Sequence, residues 1–307
     1  MSSSPQNHAD ANRLKQIATA ASVALSVSLM LLKLFASLYT GSLAVLSSLV
    51  DSISDIFASV ITFVAVHFAS QPASFEHRYG YGKAEALSAL VQSAFVAGSG
   101  VFVIYEGIYR VLHPHPLTDA GLGIAVMVVS LLATLVLIAF QRYVVKKTNS
   151  MAVSADSVHY MVDVATNGSI IVSLAAVNFF GIDWFDTAAA VFVSFYLLFN
   201  AYKIAKEAIS LLLDKELSTD IRKTVAEIVA NSSFCRGLHD LRTRDLGGIY
   251  MFEFHLELDG NLSLYDAHKL GDNIEFEIKR RYPGAQVIIH QDPAGLEEER
   301  LDNQLVK

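Results

Sequence analysis

Cysteine is nearly missing from this 307-residue chain, and charge is scarce. The single cysteine, Cys235, excludes an internal disulfide and any thiolate cluster for metal. Charged residues make up 17% of the chain against 53% apolar, too few for an ordinary soluble domain and the balance of an integral membrane protein. The opening stretch, MSSSPQNHADANRLKQ, lacks the apolar core and cleavage pattern of a signal peptide, so it is expected to stay in the cytoplasm. H-E-x-x-H does not occur, and no Ser-His or Cys-His arrangement replaces it, which argues against a membrane-embedded hydrolase. A basic surface is lacking too. Residues 211–307 hold 12 Lys/Arg against 18 Asp/Glu, so −6 of the net −7 lies there, which argues against a nucleic-acid partner.

Apolar runs fill the first two thirds. Crossing a hydrocarbon core of about 30 Å takes roughly 20 apolar residues in a helix. Six such segments are expected, near 14–39, 42–68, 83–111, 117–144, 154–179 and 184–210, separated by short polar, Gly or Pro signals. With the N-terminus inside, the cytoplasmic flanks hold Arg13, Lys15, Arg78, Lys83, Arg142, Lys146, Lys147, Lys203 and Lys206, and the opposite side only Arg110. This bias predicts both termini in the cytoplasm. Lys33 lies about 20 residues, or 30 Å, along its helix, and is expected to snorkel to the far interface. His113 and His115, in HPHP, are expected in an outer loop that ends a helix.

After LLLDKEL the pattern becomes that of a small α+β domain. Ser218–Asn231 reads as an amphipathic helix and His239–Asp245 as a short strand. In Ile249–Leu258, Phe252, Phe254, Leu256 and Leu258 alternate with Glu253, His255 and Glu257. A second helix, Ser263–Arg281, and a last strand, AQVIIH, complete the order αββαβ. The expected division is a tail at 1–13, a six-span domain at 14–210, the αββαβ domain at 211–295 and a polar terminus at 296–307.

Ionisable residues inside the spans are the main functional signal. Asp51 and Asp55 in SLVDSISD are spaced i,i+4, as are His159 and Asp163 in SVHYMVD, so each pair shares one helix face. A charge at bilayer depth is costly and faces the bundle interior. One buried aspartate could cap or pair with polar groups, and one histidine could be a satisfied core residue. Two pairs at similar depth supply four oxygen and nitrogen ligands, the number a tetrahedral divalent ion takes. Asp156 is expected nearer the interface. Three carboxylates and an imidazole crowded into a low-dielectric pocket cannot all stay ready for metal when empty, so the vacant site is expected to hold protons that metal expels. His159 and Asp51 are the expected proton-coupling groups, because imidazole titrates near neutral pH.

SLVDSISD, HRYGYGKAEAL and DSVHYMVDVATNG together resemble the cation diffusion facilitators, specifically their bacterial ferrous-iron/zinc efflux branch, from about residue 12 to residue 293. The resemblance implies a homodimer in the inner (plasma) membrane that exports divalent metal (Zn2+, Fe2+ or Cd2+) in exchange for protons and is not an enzyme. It implies a transport site at Asp51, Asp55, His159 and Asp163. GLHDLRTRD, FEFHLELD, DAHKLGD and VIIHQDP resemble the family's cytoplasmic binuclear zinc segments. That likeness implies that His239, His255, His268 and His290 ligate a structural or regulatory ion, with Asp292 bridging; solvated surface histidines are the plain alternative. Lys83 and Asp214 match a family charge pair, against two solvated interface charges.

One family site is degenerate. Where the family places an Asp and two His before the third span, this chain has Ser74, His77 and Tyr81. Only His77 survives as a ligand, with Glu76 as a substitute carboxylate or with the loop plainly solvated. Two other functions share the same residues: a non-transporting membrane metal sensor or assembly scaffold, and a Mn2+ or Co2+ exporter.

Overall fold

The computed structural model describes residues 5–40, 43–112, 121–180, 185–296 and 299–304, with side chains described there except at 5–9, 37, 39–51, 103, 106–107, 110–127, 166–167, 169–191 and 193. The expectations for Arg110, His113 and His115, and for the side chain of Asp51, lie outside the described residues. Six long helices come first: α1 (Pro5–Thr40), α2 (Leu43–Ala69), α3 (Ala84–Leu112), α4 (Gly121–Thr148), α5 (Met151–Phe180) and α6 (Phe185–Leu212). Among the described residues, α1 to α4 each carry an apolar stretch long enough to cross a membrane. The chain then forms α7 (Thr219–Ala230), β1 (Cys235–Asp245), β2 (Tyr250–Leu258), α8 (Leu264–Arg281), β3 (Gln286–Pro293) and a 3-10 turn at Leu301–Asn303. The helical domain followed by an αββαβ domain is the expected fold class.

Two compact units emerge, one of residues 9–72 and 84–209, the other of 1–8, 73–83 and 210–307. In the helical unit α5 is the hub, packed on α2, α3 and α4. Small residues permit the close approach: Ala18, Val66, Val144, Ala152 and Val153 form one buried cluster where α1, α2, α4 and α5 meet. Leu137, Ile138 and Tyr160 form another. The Tyr160 hydroxyl is 2.7 Å from Ser59 Oγ and donates to the Ser22 carbonyl at 3.2 Å, which fixes α5 against α2 and α1.

In the second unit, Ser263 caps α8 by accepting from Asp266 N at 3.1 Å, and Lys279, Arg280 and Arg281 occupy its last turn, where a cation suits the helix dipole. Strand order is β1-β2-β3, with β1 antiparallel and β3 parallel to β2. The parallel pair needs the α8 crossover. Phe252, Phe254, Leu256 and Leu258 turn to the helix side and bury against Val225, Val229, Ile274 and Ile278. The opposite sheet face is left for polar chemistry. At the β1–β2 turn, Asp245 Oδ1 accepts from Gly247 N at 2.8 Å and Gly248 N at 2.6 Å. Gly82 approaches this turn so closely that a Cβ would lie 2.3 Å from the Leu246 carbonyl oxygen, so only glycine fits there.

Candidate metal sites

α2 and α5 lie side by side, and their i,i+4 faces meet. Asp55 Oδ1 is 3.3 Å from His159 Nε2, and one donor atom from each of Asp55, His159 and Asp163 falls within 4.8 Å of the others. The His159 side chain is 8% exposed, and its Nδ1 has no hydrogen-bond partner among the described residues. A buried ring nitrogen without a partner is costly unless something else binds it. A cavity of about 790 Å3 opens on these residues, lined also by Ser54, Tyr160 and Lys33. The three described donors are nitrogen and oxygen with no sulfur, a set suited to borderline or hard divalent cations.

Two side chains in this region have protein partners that the sequence pattern does not reveal. Asp156 is fully buried within the bundle, and its Oδ2 accepts from Gln141 Nε2 at 2.7 Å. The same Gln141 amide nitrogen also donates to Ser22 Oγ at 2.9 Å. The reason is that α4 and α1 already enclose α5 at this level, so its second turn lies inside the bundle. Lys33 does not snorkel outward. Its Nζ donates to Ser52 Oγ on α2 at 2.7 Å, and Ser52 is 1% exposed.

In the second unit the sheet register builds a row. His239 pairs with His255, and His255 pairs with His290, so three strands each contribute one histidine at the same level. Ring centroids are 4.9 Å apart for His239 and His255 and 4.6 Å for His255 and His290. Asp292 joins them: Oδ2 lies 2.7 Å from His255 Nδ1 and 3.8 Å from His239 Nε2, and Oδ1 lies 3.1 Å from His290 Nε2. Donor atoms of His239, His255 and Asp292 all fall within 4.8 Å of one another, a geometry that one ion could close. His268 is not brought into this group; it sits on α8, 70% exposed, 3.5 Å from Asp272.

Sequence reading passed over the residues that enclose the row. Glu257 Oε1 stands 3.7 Å from His239 Nε2 and accepts from Arg300 at 2.5 Å. Asp240 accepts from the backbone N–H groups of Leu301 and Asp302, both at 2.9 Å, and its own N–H donates to Asp302 Oδ2 at 3.0 Å. Burial works to raise the Asp240 pKa, but the Leu301 and Asp302 N–H donors and the neighbouring histidines outweigh it and leave the carboxyl below its usual range. Residues 300–302 are therefore docked beside β1.

The loop with Ser74, His77 and Tyr81 is closed by its own contacts. Ser74 Oγ lies 2.9 Å from Tyr81 Oη and accepts from His77 N at 3.1 Å, and the rings of His77 and Tyr81 are 4.5 Å apart. Lys83 Nζ donates to Asp214 Oδ1 at 2.7 Å, and Arg244, stacked over the Tyr79 ring, reaches Asp214 Oδ2 at 3.4 Å.

Residues 19–213 match a family profile described as cation efflux transmembrane domain, and residues 217–294 match one described as cation efflux protein, cytoplasmic domain. The chain belongs to the cation efflux family. It is a membrane transporter with a cytoplasmic domain and not an enzyme. Among curated cation-efflux relatives, the pump FieF of Klebsiella pneumoniae is 43% identical over 289 residues, covering 92% of this chain and 94% of the relative. FieF of Escherichia coli O127:H6 is 42% identical over the same length. A solved metal-bound C-terminal domain of the CzcD transporter from Thermotoga maritima is 30% identical, covering 26% of this chain and 93% of the other, at a TM-score of 0.25.

Proposed function

We propose that this protein exports Zn2+, Fe2+ or Cd2+ from the cytoplasm in exchange for protons, as a homodimer in the inner membrane with both termini in the cytoplasm. Substrate metal binds Asp55, His159 and Asp163, with Asp51 as the fourth ligand. The observation that carries this reading is the convergence of Asp55 from α2 with His159 and Asp163 from α5 on one cavity. The FieF relatives, named as cation-efflux pumps, support the direction of transport. Protons serve as counter-ion because the same lone pairs accept either metal or H+, so occupancy by one excludes the other. Moving two charges outward against 100 mV costs about 4.6 kcal/mol, and each returning proton offsets half of that. His159 and Asp51 carry the protons.

The histidine row with Asp292 holds a resident zinc-like ion that is structural or regulatory, and His268, exposed on α8, stands apart from it. An ion there has no route through the bilayer; bound at the sheet face, it favours whichever dimer arrangement gives it the better ligand set. Lys83 and Asp214 act as a charge interlock between the loop before α3 and the start of the cytoplasmic domain. His77 serves as a loop residue rather than a second transport ligand, its neighbours being committed to one another. Residues 14–210 form the transporting domain and 211–295 the cytoplasmic metal-binding one.

Proteoliposomes with a Zn2+ or Fe2+ gradient and an internal pH dye test the proposal. Wild type should move metal and protons reciprocally, and His159→Ala should lose the pH dependence of transport. Metal flux with no proton movement would refute the coupling, and a pH profile unchanged in His159→Ala would refute the proton-carrying role of His159.

A further inference from the structure

Lys33 is a cation on the wall of a cavity that otherwise collects groups for binding cations. It projects from α1 into the space lined by Asp55, His159 and Asp163. Its ammonium donates to Ser52 Oγ at 2.7 Å. Ser52 lies three residues before Asp55 on α2, a rise of about 4.5 Å along the helix. The ammonium is thus tied within about one turn of a proposed metal ligand. It does not extend to the interface, where a lysine on a membrane helix ordinarily finds water.

An ammonium held at this depth is costly unless anions face it, and carboxylates held there are costly unless a cation faces them. The cavity contains both. When no metal is bound, Lys33 offsets the negative charge of the acidic cluster. When a divalent cation arrives, the same ammonium repels it and competes for the same oxygens. Affinity is lowered by this repulsion, and so is the barrier to release. An exporter gains from a site that lets go, since a very tight site would retain its cargo.

We propose that Lys33 is the resident counter-cation of the transport site: its ammonium weakens metal binding at Asp55, His159 and Asp163 and speeds metal release. Lys33 is a positioning and charge-compensating residue and does not ligate metal. The inference rests on the transport-site reading above.

Full-length protein is compared as wild type, Lys33→Gln, Lys33→Arg and Asp55→Ala, using zinc titration against a fluorescent chelator and zinc uptake into proteoliposomes. Lys33→Gln should bind zinc at the transport site about 10- to 100-fold more tightly, because a like charge in a low-dielectric cavity is removed, and should show a lower maximal uptake rate. Lys33→Arg keeps the charge and should stay near wild type in affinity. Lys33→Met makes the same change of charge on an apolar stem and is read by the same titration should Lys33→Gln not fold. The cytoplasmic histidine row also takes up zinc, so the transport-site portion of the titration is the portion that Asp55→Ala removes. If Asp55→Ala leaves the full zinc stoichiometry intact, the transport-site reading fails and this inference falls with it. If Asp55→Ala removes that portion while Lys33→Gln binds it within twofold of wild type, or more weakly, the counter-cation role alone is overturned.

Discussion

Replacing His255 by alanine separates the two proposed metal sites. His255 is the middle member of the histidine row, 2.7 Å from Asp292 and flanked by His239 and His290 rings at 4.9 and 4.6 Å. Its removal deletes one of the three donors that lie within 4.8 Å of each other and strips Asp292 of its shortest histidine contact. A four-ligand structural zinc site is worth about 10–16 kcal/mol, so one ligand averages roughly 3 kcal/mol. That corresponds to about a hundredfold loss of affinity. The fold should persist, because His255 lies on the sheet face opposite Phe252 and Phe254, which carry the core. Zinc titration of full-length protein should then lose its cytoplasmic sites, while proteoliposomes retain part of their uptake and the Asp55 and His159 site is untouched. Complete loss of uptake by a normally folded His255→Ala protein would refute the division between a transporting and a regulating site. Unchanged cytoplasmic zinc affinity would refute the row as a ligand set.

Other expectations concern packing and charge. Phe254 is fully buried, so Phe254→Ala should cost the cytoplasmic domain about 3–5 kcal/mol in denaturant unfolding. Asp156→Asn keeps an oxygen for the Gln141 amide and should shift the detergent thermal midpoint little, whereas Asp156→Leu strands that amide at about 1–3 kcal/mol; equal damage from both would contradict the hydrogen-bond assignment. Burial works against the charged form of Asp214, but Lys83 and then Arg244 outweigh it and hold the carboxyl below its ordinary 3.8. The contribution of a carboxylate lowered in this way is present above pH 3.8 and is lost as pH falls through the folded value. Asp214→Asn, which tolerates the left-handed φ of 54° at this position, should thus lower the cytoplasmic domain's thermal midpoint by a constant amount near neutrality. The difference should close in acid below pH 3.8.

Local periodicity made much of this legible in the sequence. The i,i+4 spacing of His159 and Asp163 put both on one α5 face, and the alternation in β2 put His255 opposite the phenylalanines. What periodicity does not carry is the company a side chain keeps across the bundle. The short distance of Asp156 along α5 says nothing of its neighbours, and Gln141 and Ser22 from two other helices enclose it. Lys33 looked like a snorkelling residue because one helix taken alone offers it only the interface; Ser52 of α2 supplies the nearer partner. Arg300 and Leu301 sit in a polar stretch with no strong pattern, and only Glu257 and Asp240 reveal why that stretch docks. His268 has the residue type of a ligand and the exposure of a surface group.

Because the three histidines occupy one rung of the sheet, an ion seated on them would bridge both outer strands to the central one. Such a rung is unforgiving of insertions. One extra residue ahead of His290 within β3 would turn its ring toward α8 and present a neighbour to the ion instead, while two extra residues would restore the facing but carry the ring about 6.6 Å along the strand. Sequence length between β2 and β3 can drift in the crossover, but strand parity around the rung cannot.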